Sequence, residues 1–192
     1  MRKILIVNNA EPGINEFVKP LEKIVSEEGM ESILVEYADA PEFDFEKIDG
    51  ILMSGSPQGD DIVEHHLPWF LWLKEIEKPV LGICAGHHIT GSLFGSELLR
   101  SKEPESGDFK IDLLTDDPLF SGLPKTIKVK QMHNDSVTLP KDFNLLATSA
   151  TCKNQLMKHK NKPLYTCQFH PELYNEVLIQ NFLKIEADKE TE

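Results

Sequence analysis

Three side chains in this sequence have the types and spacing for acyl transfer: a thiol, an imidazole and a carboxylate. Cys84 lies in Gly82-Ile83-Cys84-Ala85-Gly86-His87-His88, where a short apolar run, PVLGIC, passes directly into AGHHITGSLFG. Small residues after Cys84 allow a sharp strand-to-helix turn of the nucleophile-elbow kind, which lifts a side chain above a sheet. The helix that follows points its free N–H groups and positive dipole end at the sulfur and favours thiolate. A thiol nucleophile also needs a proton acceptor, and the acceptor needs a group to orient it. Gln168-Phe169-His170-Pro171-Glu172 supplies both at the end of a second apolar run, LYTCQF. If the backbone stays extended through Pro171, His170 and Glu172 project to the same side, so the carboxylate can hold one imidazole nitrogen while the other faces Cys84. Taken singly, Cys84 also fits a buried small hydrophobe, His170 a core histidine and Glu172 an acid in the first turn of a helix. Taken together they form a nucleophile, a base and an orienter at two strand ends.

The elements that must position these groups follow from periodicity. Lys3 to Asn8 is a continuous apolar run that predicts a strand buried on both faces, and Ile14 to Glu28 carries Phe17, Leu21, Ile24 and Val25 at helical spacing. Ser32 to Tyr37, Ile48 to Gly55 and Pro79 to Cys84 predict further strands, with a helix from Leu67 to Lys78 that starts near Pro68. This alternation predicts an α/β fold, a doubly wound and mostly parallel central sheet flanked by helices, with ligands at the carboxyl ends of its strands. Beyond Gly95 the pattern changes. Phe109 to Leu114, Thr126 to Met132, Leu145 to Ala150 and Leu164 to Phe169 alternate and are separated by turn clusters such as DDPLFSGLP and LPKDFN, which predicts a mixed or antiparallel region in the second half. Leu173 to Ile185 predicts a closing amphipathic helix, followed by a frayed tail, EADKETE. With no repeat, linker or low-complexity segment, residues 1–192 are expected to form a single domain.

Composition narrows the class of function. The 192 residues carry 20 Lys+Arg against 32 Asp+Glu, a net charge of −12 spread along the chain, which opposes binding to nucleic-acid phosphates and anionic membrane surfaces. No apolar run approaches the ~20 residues of a membrane span, and the apolar part of MRKILIVNNA is too short for a signal peptide, so a cytoplasmic protein is expected. Three cysteines, Cys84, Cys152 and Cys167, have no C-x-x-C spacing, which excludes a disulfide framework and a zinc ribbon. Cys152 and Cys167 lack an elbow and are expected to be structural. His65 and His66 with Asp60, Asp61 and Glu64 have no strong ligand spacing and read as a solvated polar loop, and no metal site is expected. Trp69, Phe70 and Trp72 read as a packing face, and the lysines from Lys125 to Lys130 and Lys158 to Lys162 as a solubilising surface.

At these residues the chain resembles the class I, or triad, glutamine amidotransferase family, whose marks are a G-x-C-x-G-H-Q elbow and a late F-H-P-E. They read GICAGHH and QFHPE here, in the family's order and separation, together with the early KILIVNN, the Met53 to Pro57 block MSGSP where the family has S-G-G-P, and DDPLFSGLP. QMHNDSVTLP is similar to the S-H-G-D-x-V-x-x-L-P segment of the GMP synthase branch, whose free-standing amidotransferase subunit has a similar length. The resemblance implies hydrolysis of the glutamine side-chain amide through a thioester on Cys84, with His170 moving the proton and Glu172 orienting His170. It also implies an oxyanion hole from Ala85 with Gly55 or Ser56, and a substrate site that includes Gly86, His88, His133 and Asp135. The expected partner is an ATP-pyrophosphatase synthetase subunit that receives the ammonia. Any ATP and Mg²⁺ belong to that partner, since this chain has no P-loop and is expected to hold no cofactor of its own. Two positions depart from the family pattern. His88 replaces a glutamine that helps hold the substrate, and a neutral imidazole offers its one donor and one acceptor in other places than an amide does. Ser56 replaces the second glycine of S-G-G-P and adds a Cβ that resists positive φ. A stand-alone hydrolase of γ-glutamyl amides or peptides, and a regulatory homologue with weakened catalysis, are the alternatives these departures leave open.

Overall fold

The computed structural model describes residues 1–58 and 62–186. Strands β1 (Lys3–Asn8), β2 (Glu31–Glu36), β3 (Gly50–Met53) and β4 (Val80–Ile83) alternate with helices α1 (Lys19–Glu27), α2 (Ile62–His66) and α3 (Ala85–Leu93). The short β5 (Leu98–Leu99), then β6 (Glu105–Leu113), β7 (Thr126–His133), β8 (Ser136–Val137), β9 (Phe143–Thr148), β10 (Leu156–His159), β11 (Leu164–Cys167) and α4 (Glu176–Phe182) complete the described chain. The main sheet has the order β2-β1-β3-β4-β11-β10-β9-β6-β7, while β5 and β8 pair separately. Every pairing from β2 to β11 is parallel and every pairing from β11 to β7 is antiparallel, so the sheet changes character at β11. The α/β class, the parallel first half and the antiparallel second half are as the sequence predicts.

Strand β1 illustrates how one short run supports both faces. Ile4 and Ile6 pack on the side of α1 and α4, with Leu21, Ile24, Val25 and Leu178; Leu5 and Val7 pack on the other side with Met53, Phe70, Leu73 and Ile89. A period of two, with apolar residues on both phases, is what burial between two layers requires. Strand β7 differs: Ile127, Val129, Gln131 and His133 are buried and the residues between them are exposed or half-buried, which fits a strand with one solvated face.

Several predicted boundaries move for local reasons. The helix predicted over Leu67 to Lys78 is instead a 3₁₀ segment, Leu67–Lys74, which follows directly on the five-residue α2. Pro68 has no N–H to donate one turn back, and its ring collides with the carbonyl there, so α2 ends at His66 rather than running on through it. The last helix starts at Glu176, after Asn175 with φ 63, rather than at Leu173. The Asn175 side chain donates to the Lys128 carbonyl at 2.5 Å and ties the turn to β7. Strand β10 was not predicted, because its KH pair and the flanking lysines hide the buried Leu156 and Met157. Residues 187–192, which include most of the predicted frayed tail, and Asp60 and Asp61 of the polar loop lie outside the described residues. Among the described residues no helix is long and apolar enough to cross a membrane.

Candidate active site

Strands β4 and β11 are parallel neighbours, with Gly82 opposite Thr166 and Ile83 opposite Cys167, so both C-terminal ends open on the same edge of the sheet. Cys84 occupies the turn between β4 and α3 with φ 48 and ψ −95. A side chain at such a φ stores strain on the order of 1–3 kcal/mol, which persists only where the surroundings hold it. Here the Cys84 amide donates to the Cys167 carbonyl at 2.8 Å, and the Cys84 carbonyl accepts from His87 and His88 at 2.9 and 3.0 Å. The turn also depends on two close approaches. A Cβ on Gly82 would stand 2.9 Å from the backbone of Gly86, and one on Gly86 would stand 3.0 Å from Met53 Cβ. No side chain caps α3, which leaves its first turn free to offer amide donors above the sulfur.

From β11 the chain continues to His170, whose amide donates to the Lys130 carbonyl at 3.0 Å. Its imidazole Nδ1 and Glu172 Oε1 are 2.7 Å apart, and both side chains are 1% exposed. Phe17 covers the ring at a centroid distance of 5.1 Å. Gly55 lies against the ring at Cε1, where a Cβ would stand only 2.8 Å away. Burial disfavours an imidazolium at His170. The charge and hydrogen bond of the Cys84 sulfur, and then those of Glu172, outweigh it and push the pKa up to about 10.

Cys84, Ala85, His88, Ser56, His133 and His170 share one cavity of about 350 Å³ with Phe17, Pro57, Ile62, Met132 and Asn134. This is the volume of a small-molecule site. Among the positions named from sequence, Gly55 seats His170, and Gly86 packs on Met53 rather than lining the cavity. Neither Gly55 nor Ser56 has positive φ. The Ser56 hydroxyl accepts from the Gln58 amide at 3.3 Å. His88 lines the cavity, with Nε2 2.7 Å from Gln168 Oε1. His133 forms part of the wall, but both of its ring nitrogens are engaged there, Nδ1 2.8 Å from the Asp135 carbonyl and Nε2 2.9 Å from Glu105 Oε2. The Asp135 carboxylate lies behind that wall and accepts from Arg100 and from the Ser101 amide at 2.9 and 2.8 Å. Sequence reasoning missed Phe17, Met132, Asn134 and Gln168. Of these only Gln168 carried a signal, as a polar residue at the end of an apolar strand and two places before His170.

Glu105, His133 and Cys152 bring one ligand atom each within 4.8 Å of one another, a grouping with no signal in the sequence spacing. Its polar atoms are already engaged. Glu105 accepts from His133, Gln155 and Ser149. Burial, then the charges of Glu103 and Glu105, push the Cys152 thiol well above its ordinary range. The geometry is that of a closed hydrogen-bond network bracing the cavity wall.

Comparison with known proteins agrees with this geometry. The sequence model of the family described as glutamine amidotransferase class-I matches residues 14–188. One relative, a glutamine-hydrolyzing GMP synthase subunit of Archaeoglobus fulgidus, is 36% identical over 162 residues, covering 82% of this chain and 86% of that one. The subunit of the same name from Thermoplasma acidophilum is 32% identical over 191 residues, covering 96% and 93%. A crystal structure from Thermoplasma acidophilum, assigned to the same GMP synthase subunit, superposes with a TM-score of 0.85 at 32% identity, covering 95% of this chain and 92% of that one. A glutamine amidotransferase from Thermotoga maritima shares the fold, with a TM-score of 0.74 at 19% identity and coverage of 95% and 81%.

Proposed function

The chain belongs to the class-I glutamine amidotransferase family, and from that premise we propose that it is the glutamine-hydrolysing subunit of a GMP synthase, delivering ammonia to a separate synthetase. The observation that carries the reading is that Cys84, at the turn before α3, and His170, with Glu172 on its Nδ1, line one cavity.

The Cys84 sulfur attacks the side-chain amide carbon of glutamine, and a C–S bond forms. The charge that develops on the amide oxygen is met by the Ala85 N–H and by an N–H of Gly55 or Ser56; losing one such donor costs on the order of 10²–10³ in rate. His170 gives its proton to the departing nitrogen, the C–N bond breaks, and ammonia leaves a γ-glutamyl thioester. Water, deprotonated by His170, then cleaves the C–S bond to release glutamate and restore the thiol pair. Glu172 keeps the imidazole in register through both proton transfers. His88, Asn134 and His133 border the space the substrate occupies. Activation of the acceptor nucleotide, with its ATP and Mg²⁺, belongs to the separate synthetase.

The test is ammonia release from glutamine by the full chain, alone and with the ATP pyrophosphatase of a GMP synthase. Partner-stimulated release that Cys84→Ala abolishes is the expected result. Turnover of γ-glutamyl peptides by the lone chain, with no response to the partner, would instead make it a self-sufficient hydrolase.

A further inference from the structure

His88 stands one turn into α3, buried, and its Nε2 is 2.7 Å from Gln168 Oε1. A carboxamide oxygen only accepts, so the imidazole donates from Nε2. Burial holds His88 neutral, with its pKa lowered to about 4; the Gln168 hydrogen bond and the Asp135 charge oppose this, and the His133 and Arg100 charges add to it. A neutral ring has one N–H, and the contact with Gln168 fixes it on Nε2. Gln168 itself is fully buried, with its backbone amide bound to the Gln155 carbonyl at 2.9 Å, so its side chain has no solvent to turn toward. With its oxygen held by His88, the side-chain NH₂ lies 3.9 Å from the Cys84 sulfur and donates to it.

The sulfur thus stands between opposed influences. The Met132 carbonyl, 4.0 Å away, accepts from a thiol and favours S–H. The Gln168 NH₂ favours S⁻, as does the His170 imidazolium. Reversing the Gln168 amide would put its oxygen against the sulfur and reverse its influence. With the His88 proton on Nε2 the reversed amide would present N–H to N–H, so reversal would also require the imidazole to shift its proton to Nδ1.

We propose that Gln168 donates to the Cys84 sulfur and favours the thiolate over the thiol, and that His88 is the positioning residue that holds Gln168 in the donating orientation. This deepens the functional reading above and rests on Cys84 being the nucleophile. It also gives His88 a role that its departure from the family pattern left open: its Nε2–H reaches the Gln168 oxygen, a contact that the NH₂ of a glutamine at this position could also supply.

The experiment is the pH dependence of iodoacetamide alkylation at Cys84 in the full chain, followed by mass spectrometry of the Cys84 peptide, for wild type, Gln168→Met, His88→Met and His88→Gln. Hydrogen bonds to charged groups are worth enough to move a titration by about one pH unit. Gln168→Met is therefore expected to raise the alkylation midpoint by about one unit, and His88→Met in the same direction by a smaller amount. His88→Gln, which can still donate to Gln168 Oε1, is expected to restore the wild-type midpoint. Near-UV circular dichroism identifies any variant that fails to fold, and Gln168→Met decides the matter if His88→Met is lost. An unchanged midpoint in Gln168→Met overturns the proposal, as does a His88→Gln shift equal to that of His88→Met, which would assign the effect to packing. Wild-type alkylation no faster at Cys84 than at Cys152 or Cys167 would instead refute the nucleophile itself.

Discussion

Residue type does not separate the three cysteines, but their surroundings do. All are buried, yet Cys84 alone lines the cavity and faces an imidazole. Burial, then neighbouring negative charge, pushes the thiols of Cys152 and Cys167 upward and leaves them protonated and inert. A diazo-ketone glutamine analogue is therefore expected to modify Cys84 and neither of the others, as read by mass mapping of the adduct. A second prediction at this scale concerns Gly55. Because a Cβ there would stand 2.8 Å from His170 Cε1, Gly55→Ala must displace the imidazole from between Cys84 and Glu172. Glutamine hydrolysis is expected to fall by about 10² or more, as for a misplaced catalytic group, with only a small change in melting temperature. The triad was legible because its members sit in two short motifs. The partners of His133 and Asp135 were not, since Glu105 and Arg100 lie 28 and 35 residues away in sequence and only the pairing of β6 with β7 and the turn after β5 bring them close.

Elements were legible where burial imposes a period and obscure where side-chain partners substitute for it. The runs that became β1, β3 and β4 are apolar on both phases because layers cover both faces. In β10, Lys158 instead pairs with Asp117 at 3.0 Å and lies over the Tyr165 ring at 4.8 Å, so a half-buried lysine reads as loop sequence. The junction of β4 with α3 is the most constrained element of the site. Its geometry needs Gly82 for space, since the Gly86 carbon and oxygen that a Cβ would meet are backbone and cannot swing aside. Gly82→Ala is expected to destabilise the fold by about 1–3 kcal/mol, the usual cost of overpacking, and to separate β4 from α3 enough to lower Cys84 alkylation. A urea titration with parallel alkylation checks both parts. A stable Gly82→Ala protein with an unreactive Cys84 would show that the glycine serves the elbow alone.

At the scale of the whole molecule, the fold takes several histidines out of water in neutral form, and this sets its response to acid. His87 is fully enclosed: Nε2 donates to the Asn154 carbonyl at 3.1 Å, and Nδ1 accepts from the Thr166 hydroxyl at 2.7 Å. His66 donates from Nε2 to the Asn9 carbonyl at 3.0 Å and stacks on Tyr37 at 3.8 Å between centroids. Burial lowers the pKa of His66 and of His88 to about 4 and that of His87 further. In the unfolded chain each titrates near its ordinary value of about 6.5. Between about pH 6.5 and pH 4 the unfolded chain therefore binds protons that the folded chain refuses. The stability these sites contribute is complete above about pH 6.5 and is lost as pH falls, at up to about 1.4 kcal/mol per pH unit for each histidine. Urea unfolding measured from about pH 7 to pH 5, above the range where most carboxylates titrate, is expected to show stability falling steeply over that interval. His88→Gln removes one of the refused protons and keeps a donor to Gln168, so its stability is expected to fall by about one histidine's share less over the same interval. A wild-type stability that stays level across that range would mean that these imidazoles accept protons in place, and that the layers around α3 open to water more readily than their packing implies.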